Sequence, residues 1–483
     1  MKKLYWLLIL ILTGSGCYKI LPSEGGGQTD IKSEARNINP SDIALPEGYI
    51  AEAIASGLTF PTAVAFDEQG QLYVIEAGYS YGEVFLEPKL LRVSENGNLT
   101  TIATGEKNGP WTGVTYHDGN FYIAEGGQMT GGKLLRISKD GTVNTLIENL
   151  PSMGDHHTNG PVVGPDGQLY FGIGTATNSG VVGPDNYKFG WLKRHPEFHD
   201  IPCQDITLTG QNYTSEIPLT SKSGKQTTGA YSAYGTPTTQ GQVIKGSIPC
   251  SGAVLKISPE GGNMELVAWG FRNPFGLAFS PKGKLFVSDN AFDVRGSRPI
   301  WGTGDYLWKA EQGKWYGWPD FSGGTAFNGY RFSPPGDKGP QPLLAQHPNK
   351  PPNPAATLGV HSSSNGMDFS RNSSFGYQGE AFIAQFGDMA PGVGKVLSPV
   401  GYKVVRVNVE NGVITDFAAN KGKKTAPASK LNTGGLERPV SVKFSPDGQS
   451  LYIVDFGIME TGDNGPEPKL KTGVIWKITK NRS

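Results

Sequence analysis

The sequence predicts an all-β fold, a six-bladed β-propeller with long inserted loops. Three observations predict it. Glycine supplies 68 of the 483 residues, about twice its usual share, and proline adds 35. Short apolar runs alternate with polar residues, the period of half-buried strands. One unit also recurs six times: a strand, a tight turn, a strand with an aromatic centre, then a further amphipathic strand. Four short strands per unit, repeated about an axis, is the propeller plan. A sandwich of this length has no need of six equivalent units. The 43 basic and 43 acidic side chains balance, which leaves no basic field for nucleic acid.

The first element is a leader. Residues 1–17, MKKLYWLLILILTGSGC, place two lysines before an apolar run from Leu4 to Leu12, and small residues then lead to Cys17. This reads as a lipoprotein-type signal peptide with Cys17 as the lipidated residue, although Gly14 stands where a large aliphatic is usual. The run is too short to span a bilayer, and no other stretch approaches the roughly 20 residues needed. Residues 18–45 are polar and Gly-rich and read as a flexible tether. The expectation is an exported protein, lipid-anchored to the bacterial cell envelope at the outer membrane. The lipid would be its only membrane contact.

The propeller then occupies 46–483. Its six copies lie at 60–78, 110–127, 159–174, 273–290, 365–387 and 438–457. Their aromatic centres are Tyr73, Tyr122, Tyr170, Phe286, Phe382 and Tyr452. Amphipathic strands follow at 89–97, 133–141, 253–261, 402–412 and 474–480, but the fourth copy shows no clean one before residue 362. The segment YIAEAIASG (49–57) adds an outer strand to the last blade, so the ring closes and loses its edges. The spacing marks two insertions, about 178–250 and 291–361. Cys203 and Cys250 lie in the first and pair as a disulfide in an exported protein. There is no CxxCH, so no covalent haem is encoded.

Three constellations carry chemistry. GDHHTNGPVVGPDG sets Asp155 beside His156 and His157, just before the inner strand of the third copy. A histidine there suits general-base work, because its pKa lies near neutrality. WGFRNPFGLAF sets Arg272 and Asn273 before the inner strand of the fourth copy, at the same end of the ring. A forked guanidinium there binds carboxylates or a developing oxyanion. SDNAFD (288–293), with Asp305, offers oxygens of the kind a hard cation takes, without an EF-hand spacing. H-E-x-x-H, Walker A, G-x-S-x-G and a helix-linked G-x-G-x-x-G are absent.

DHHTNGPVVGPDGQLYFGIG, GFRNPFGLAFSPKGKLFVSDN and YGWPDF together resemble the glucose/sorbosone dehydrogenase family, over roughly residues 46–480. These are six-bladed quinoproteins that bind pyrroloquinoline quinone (PQQ) with calcium. The resemblance selects His156 as the base that removes the sugar hydroxyl proton while hydride passes to the quinone. It makes Arg272 the group that stabilises the reduced quinone's oxygen. It implies cofactor contacts from Asn273, Arg438 and, loosely, Asn108. It places the calcium carbonyls near Ala291 and Phe292. Departures accompany it. Phe275 stands where the glucose enzymes have a polar amide, Val440 where they have a second arginine, and the region of Phe386–Gly387 lacks their lysine. The pattern looks closer to the sorbosone-type branch.

The expected function is an exported PQQ-dependent dehydrogenase that oxidises a sugar hydroxyl or aldehyde hydrate and passes electrons to a separate acceptor. The alternative is a cofactor-free propeller that binds glycans or a protein partner at the cell surface. The exposed tryptophans expected in the insertions (Trp301, Trp308, Trp315, Trp318) favour that alternative.

Overall fold

A computed structural model describes residues 35–481, apart from 79–85, 128–130, 189, 218–223, 329, 334–335, 337–338, 391–392, 395 and 463–464. The leader, Cys17 and residues 18–34 of the tether lie outside the described residues.

Six antiparallel sheets of four or five strands form the blades. Their inner strands are Pro61–Phe66, Trp111–His117, Thr158–Val163, Pro274–Phe279, Ser364–Phe369 and Pro439–Phe444. Each inner strand packs against those of both neighbouring blades, and the last meets the first. The second strands, Leu72–Glu76, Asn120–Glu125, Leu169–Ile173, Leu285–Asp289, Ala381–Gln385 and Ser450–Asp455, carry the six aromatic centres. The ring closes as expected: Tyr49–Leu58 pairs with Gly473–Lys480, from Tyr49 opposite Lys480 to Leu58 opposite Gly473. That closing strand is the outer strand of the sixth blade and ties the start of the propeller to its end.

The glycine excess now has a cause at the axis. A Cβ on Gly113 would stand 2.2 Å from the Gly160 carbonyl oxygen, and one on Gly276 would stand 2.3 Å from that of Asn365. Neighbouring inner strands approach too closely there for any side chain. Between blades, apolar clusters fill the clefts. Ile75, Leu135 and Ile137 sit in the cleft of blades 1 and 2, and Phe382, Phe444 and Trp476 in that of blades 5 and 6.

Three expectations change. The fourth blade does have its outer strands, Tyr306–Lys309 and Ala356–Thr357, and both fall inside the predicted second insertion. YLWK is too short to show a period. Residues 35–45 of the predicted tether are docked rather than free. Ile43–Ala44 adds a fifth strand to blade 5, and the Arg36 guanidinium meets Asp455 at 2.5 Å. Finally, Trp308, Trp315 and Trp318 are buried and do not offer faces to a glycan. Trp315 and Trp318 join Phe327 and Phe332 in one core with Cys203, Leu208 and Cys250 of the first insertion. The two insertions are therefore one cap, and Cys203–Cys250 is a disulfide within it.

Candidate functional site

One hydrogen bond recurs in all six blades. The N–H just past each second strand donates to the carbonyl of the residue just before the inner strand. The pairs are Ala77–Phe60, Gly126–Pro110, Gly174–His157, Asn290–Asn273, Phe386–Ser363 and Phe456–Arg438. His157, Asn273 and Arg438 are thus one repeat position, in blades 3, 4 and 6. The residues before them, His156 and Arg272, are the same position in adjacent blades. The fold alone brings these two side chains to one end of the ring as neighbours. The loops joining second to third strands, including the start of each insertion, lie at this end too.

His156 is 5% exposed. Gly174 lies against it, with room for no side chain: a Cβ there would stand 2.1 Å from His156 Cβ and 3.2 Å from Asn273 Oδ1. His156 Nδ1 is 2.8 Å from the Thr175 carbonyl oxygen and 3.1 Å from its hydroxyl. A carbonyl only accepts, so Nδ1 carries the proton and Nε2 presents a lone pair. No partner takes Nε2 among the described residues. Burial, and then the nearby Arg272 charge, holds the ring's pKa well below its usual range. The ring is neutral at pH 7, as a base must be. His157 is held down to about 4 by burial alone.

Arg272 is 3% exposed and is held through two of its guanidinium nitrogens. Its Nη2 donates to Asp293 Oδ2 and to Asn178 Oδ1, both at 2.9 Å, and its Nε to the Asn178 carbonyl at 3.1 Å. Asp289 fixes the backbone beneath it. One carboxylate oxygen accepts the N–H groups of Arg272 at 3.1 Å and Asn273 at 2.7 Å, and the other accepts the Trp308 indole. Burial pushes the Asp289 carboxyl up to about 7. Asn273 donates to Asn290 Oδ1 at 2.8 Å and accepts from Asn159 at 3.2 Å. Asn273, Phe275 and Asn290 keep part of their surface open beside the buried pair. The Phe275 ring lies against an apolar cluster of blades 6 and 1 that includes Val440, Phe456 and Met459, together with Phe386 of blade 5.

The remaining expected residues are more dispersed. Arg438 is buried and has no carboxylate within ion-pair distance among the described residues. It donates to the Asp388 carbonyl at 3.2 Å and the Met459 carbonyl at 3.3 Å, with the Phe386 and Tyr402 rings about it. Asn108 is turned to Glu125 within blade 2. The Phe292 carbonyl accepts the Thr303 hydroxyl at 3.2 Å, and Asp305 caps the N–H groups of Ala291 and Ser364. Among the described residues no three His, Cys, Asp or Glu side chains gather as a metal cluster.

Sequence reasoning missed Asp289, Asn178 and Thr175 as supports. A readable signal for the first existed: an acid closes the second strand in copies 1, 2, 4 and 6, as Glu76, Glu125, Asp289 and Asp455.

No family model matches the chain. It is similar to quinoprotein glucose dehydrogenase B of Acinetobacter calcoaceticus, with 24% identity over 330 residues, or 61% of this chain. It spans 58% of that relative's length. Among solved structures, it resembles the PQQ-bound aldose sugar dehydrogenase of Streptomyces coelicolor (TM-score 0.52, 16% identity, 90% of this chain and 99% of that one). It also resembles the pyranose dehydrogenase PQQ domain of Coprinopsis cinerea (TM-score 0.54, 13% identity, 93% and 100%). At these identities the structural likeness bears on the six-bladed fold.

Proposed function

We propose that this chain is a sugar oxidoreductase of the quinoprotein type, exported and lipid-anchored through Cys17, with PQQ as its cofactor. One observation carries the reading: a neutral histidine, proton on Nδ1 and lone pair on Nε2, beside a fixed guanidinium at the axial end. His156 Nε2 takes the proton of a sugar hydroxyl or aldehyde hydrate. Arg272 opposes protonation of the resting base and stabilises negative charge that develops on oxygen next to it. Since Asp293 and Asn178 already hold Arg272, it does not reorganise during the reaction.

The donor set suits a flat, acidic, aromatic cofactor. Asn273, Asn290 and the part-open Phe275 ring form a floor of two amides and one aromatic face. Arg438 supplies a buried cationic charge held mainly by backbone carbonyls, with Asp388 and Glu437 nearby. PQQ, when bound, supplies the acceptor for the hydride, and a separate partner then takes the electrons. Phe275 and Val440 make the clamp less polar than in the family it resembles, which favours a weaker hold on the cofactor and the sorbosone-type branch. Near Ala291 and Phe292 a calcium ion would compete with the Thr303 hydroxyl for the Phe292 carbonyl, while the Asp305 carboxylate is held by the Ala291 and Ser364 N–H groups. No step here depends on a metal.

The test is reconstitution of purified protein with PQQ, with and without calcium. Dye reduction is then followed across aldoses and keto-aldehydes, alongside His156→Ala. Saturable quinone binding and His156-dependent turnover are expected. Absence of quinone binding in a spectroscopic titration would end this reading.

A further inference from the structure

Arg295, in the second insertion, has no role in the resemblance and joins both halves of the site. Its Nη2 meets Asp155 Oδ2 at 2.6 Å, and Asp155 is the residue before His156. Its Nη1 meets Asp185 Oδ2 at 2.6 Å, at the start of the first insertion. Its Nε donates at 3.0 Å to Asp293 Oδ2, the same oxygen that holds Arg272 at 2.9 Å. The side chain is 17% exposed, so these pairs are largely shielded from solvent. The loops are tight around it. A Cβ on Gly296 would stand 2.8 Å from the Asp185 carboxylate, and one on Gly183 would stand 2.6 Å from Ser297 Oγ.

We propose that Arg295 is a positioning residue of the reaction, which fixes the base loop and the Arg272 guanidinium relative to each other through Asp155 and Asp293. Its fork reaches both partners, with Nη2 on Asp155 and Nε on Asp293. Its charge matters as well. Asp293 carries both guanidiniums on one oxygen, so Arg295 adds a second positive charge to a cluster that also holds the carboxylates of Asp155 and Asp185. The charged and titratable groups facing His156 are Arg272 from blade 4, Arg295 from the second insertion, and His157 on its own loop. Asp155 adjoins it in sequence, and Asp200 of the first insertion lies near Asp155. Arg272 and Arg295 both oppose protonation of His156.

The role rests on His156 being the base of the proposed reaction. The deciding measurement therefore uses the full chain without cofactor or sugar. Histidine-selective ¹⁵N labelling, with long-range correlation spectra, follows the His156 ring from pH 4 to 8 in wild type and in Arg295→Met. The wild-type ring should stay in the neutral Nδ1–H form well below the ordinary histidine range. In Arg295→Met the protonation midpoint should rise by about one unit, the effect of losing one nearby charge. An unchanged midpoint in a folded Arg295→Met protein overturns the proposal. Arg295→Lys keeps the charge but loses the fork, and it decides the matter if the methionine variant does not fold. His156 should then titrate as in wild type, while kcat falls ten- to a hundred-fold at unchanged KM. Wild-type kcat in Arg295→Lys would refute the positioning role. No turnover in wild type would instead count against the sugar oxidoreductase reading and leave the titration result standing.

Discussion

The cap offers a prediction that depends on structure alone. Replacing Cys203 and Cys250 with serine removes a link between residues 47 apart. Loop-closure entropy sets the effect at about 4 kcal/mol, acting on the open state rather than the closed one. The closed geometry has other supports. Ser251 N–H donates to the Ile201 carbonyl at 2.9 Å, Ser247 N–H to that of Pro202 at 3.0 Å, and Ile201 N–H to Ser251 Oγ at 3.1 Å. The variant should therefore fold to the same structure and open its cap more often. At about 1.4 kcal/mol per tenfold, amide exchange in peptides from 201–250 should speed up by as much as about a thousand-fold. Peptides from Leu169–Ile173 should not change, because the blade ladder holds them independently. Mass-spectrometric hydrogen exchange reads both. Unchanged exchange in the cap would refute the entropic argument. Equal acceleration in the blade would show that cap and propeller open as one unit.

Three further outcomes are expected. His156→Asn should lower dye reduction by about 10² to 10⁴-fold at unchanged quinone affinity, measured by steady-state kinetics and quinone titration. Thermal stability should fall between pH 6.5 and 8. Burial raises Asp200, Asp289 and Glu437 each to about 7, so their contribution is complete below the ordinary carboxylate range and is lost as pH rises through 7. Below pH 6.5 the buried His156 and His157 act the other way, since their folded pKa values are depressed. A midpoint that rises from pH 6.5 to 8 in scanning fluorimetry would contradict this. Phe275→Gln should lose about 1–2 kcal/mol of packing against the Phe386–Phe456 cluster. It should also bind PQQ up to about tenfold more tightly, through one added hydrogen bond read by fluorescence titration.

The ring was legible because its signal is periodic. Six aromatic centres and alternating strands survive any one irregular unit, and YIAEAIASG pointed to the closing strand by its place just before the first copy. Segments whose order depends on distant partners were not legible. Residues 35–45 dock because Arg36 finds Asp455 more than four hundred positions away. The insertion tryptophans read as exposed because polar loops usually are, yet the two inserted segments pack on each other and bury Trp315 and Trp318, while Trp308 is buried on a strand of blade 4. At the site, Arg272, Asn273 and the His156–His157 pair stood out by their place before the inner strands, and the resemblance selected His156. Arg295 could not be named, since two of its three carboxylate partners, Asp155 and Asp185, lie more than a hundred residues away.

The repeat also explains why the pair sits in blades 3 and 4. In blades 1, 4 and 6 an acid at the end of the second strand accepts the N–H of the residue two before the inner strand: Glu76 from Thr59, Asp289 from Arg272, Asp455 from Glu437. That contact holds the backbone, so the side chain above it is free to be chosen for other work. Blade 4 uses the freedom for a guanidinium. Blade 3 has Ile173 in the acid's place, which cannot accept a hydrogen bond and is buried in the cleft toward blade 2. Its loop must be held otherwise, and the Thr175 carbonyl does so by taking the His156 ring proton. An acid at 173 would offer a competing acceptor next to the ring and favour imidazolium. The break in the pattern keeps Nδ1 committed to a neutral partner and Nε2 basic, next to the blade where the pattern is intact and the charge is fixed.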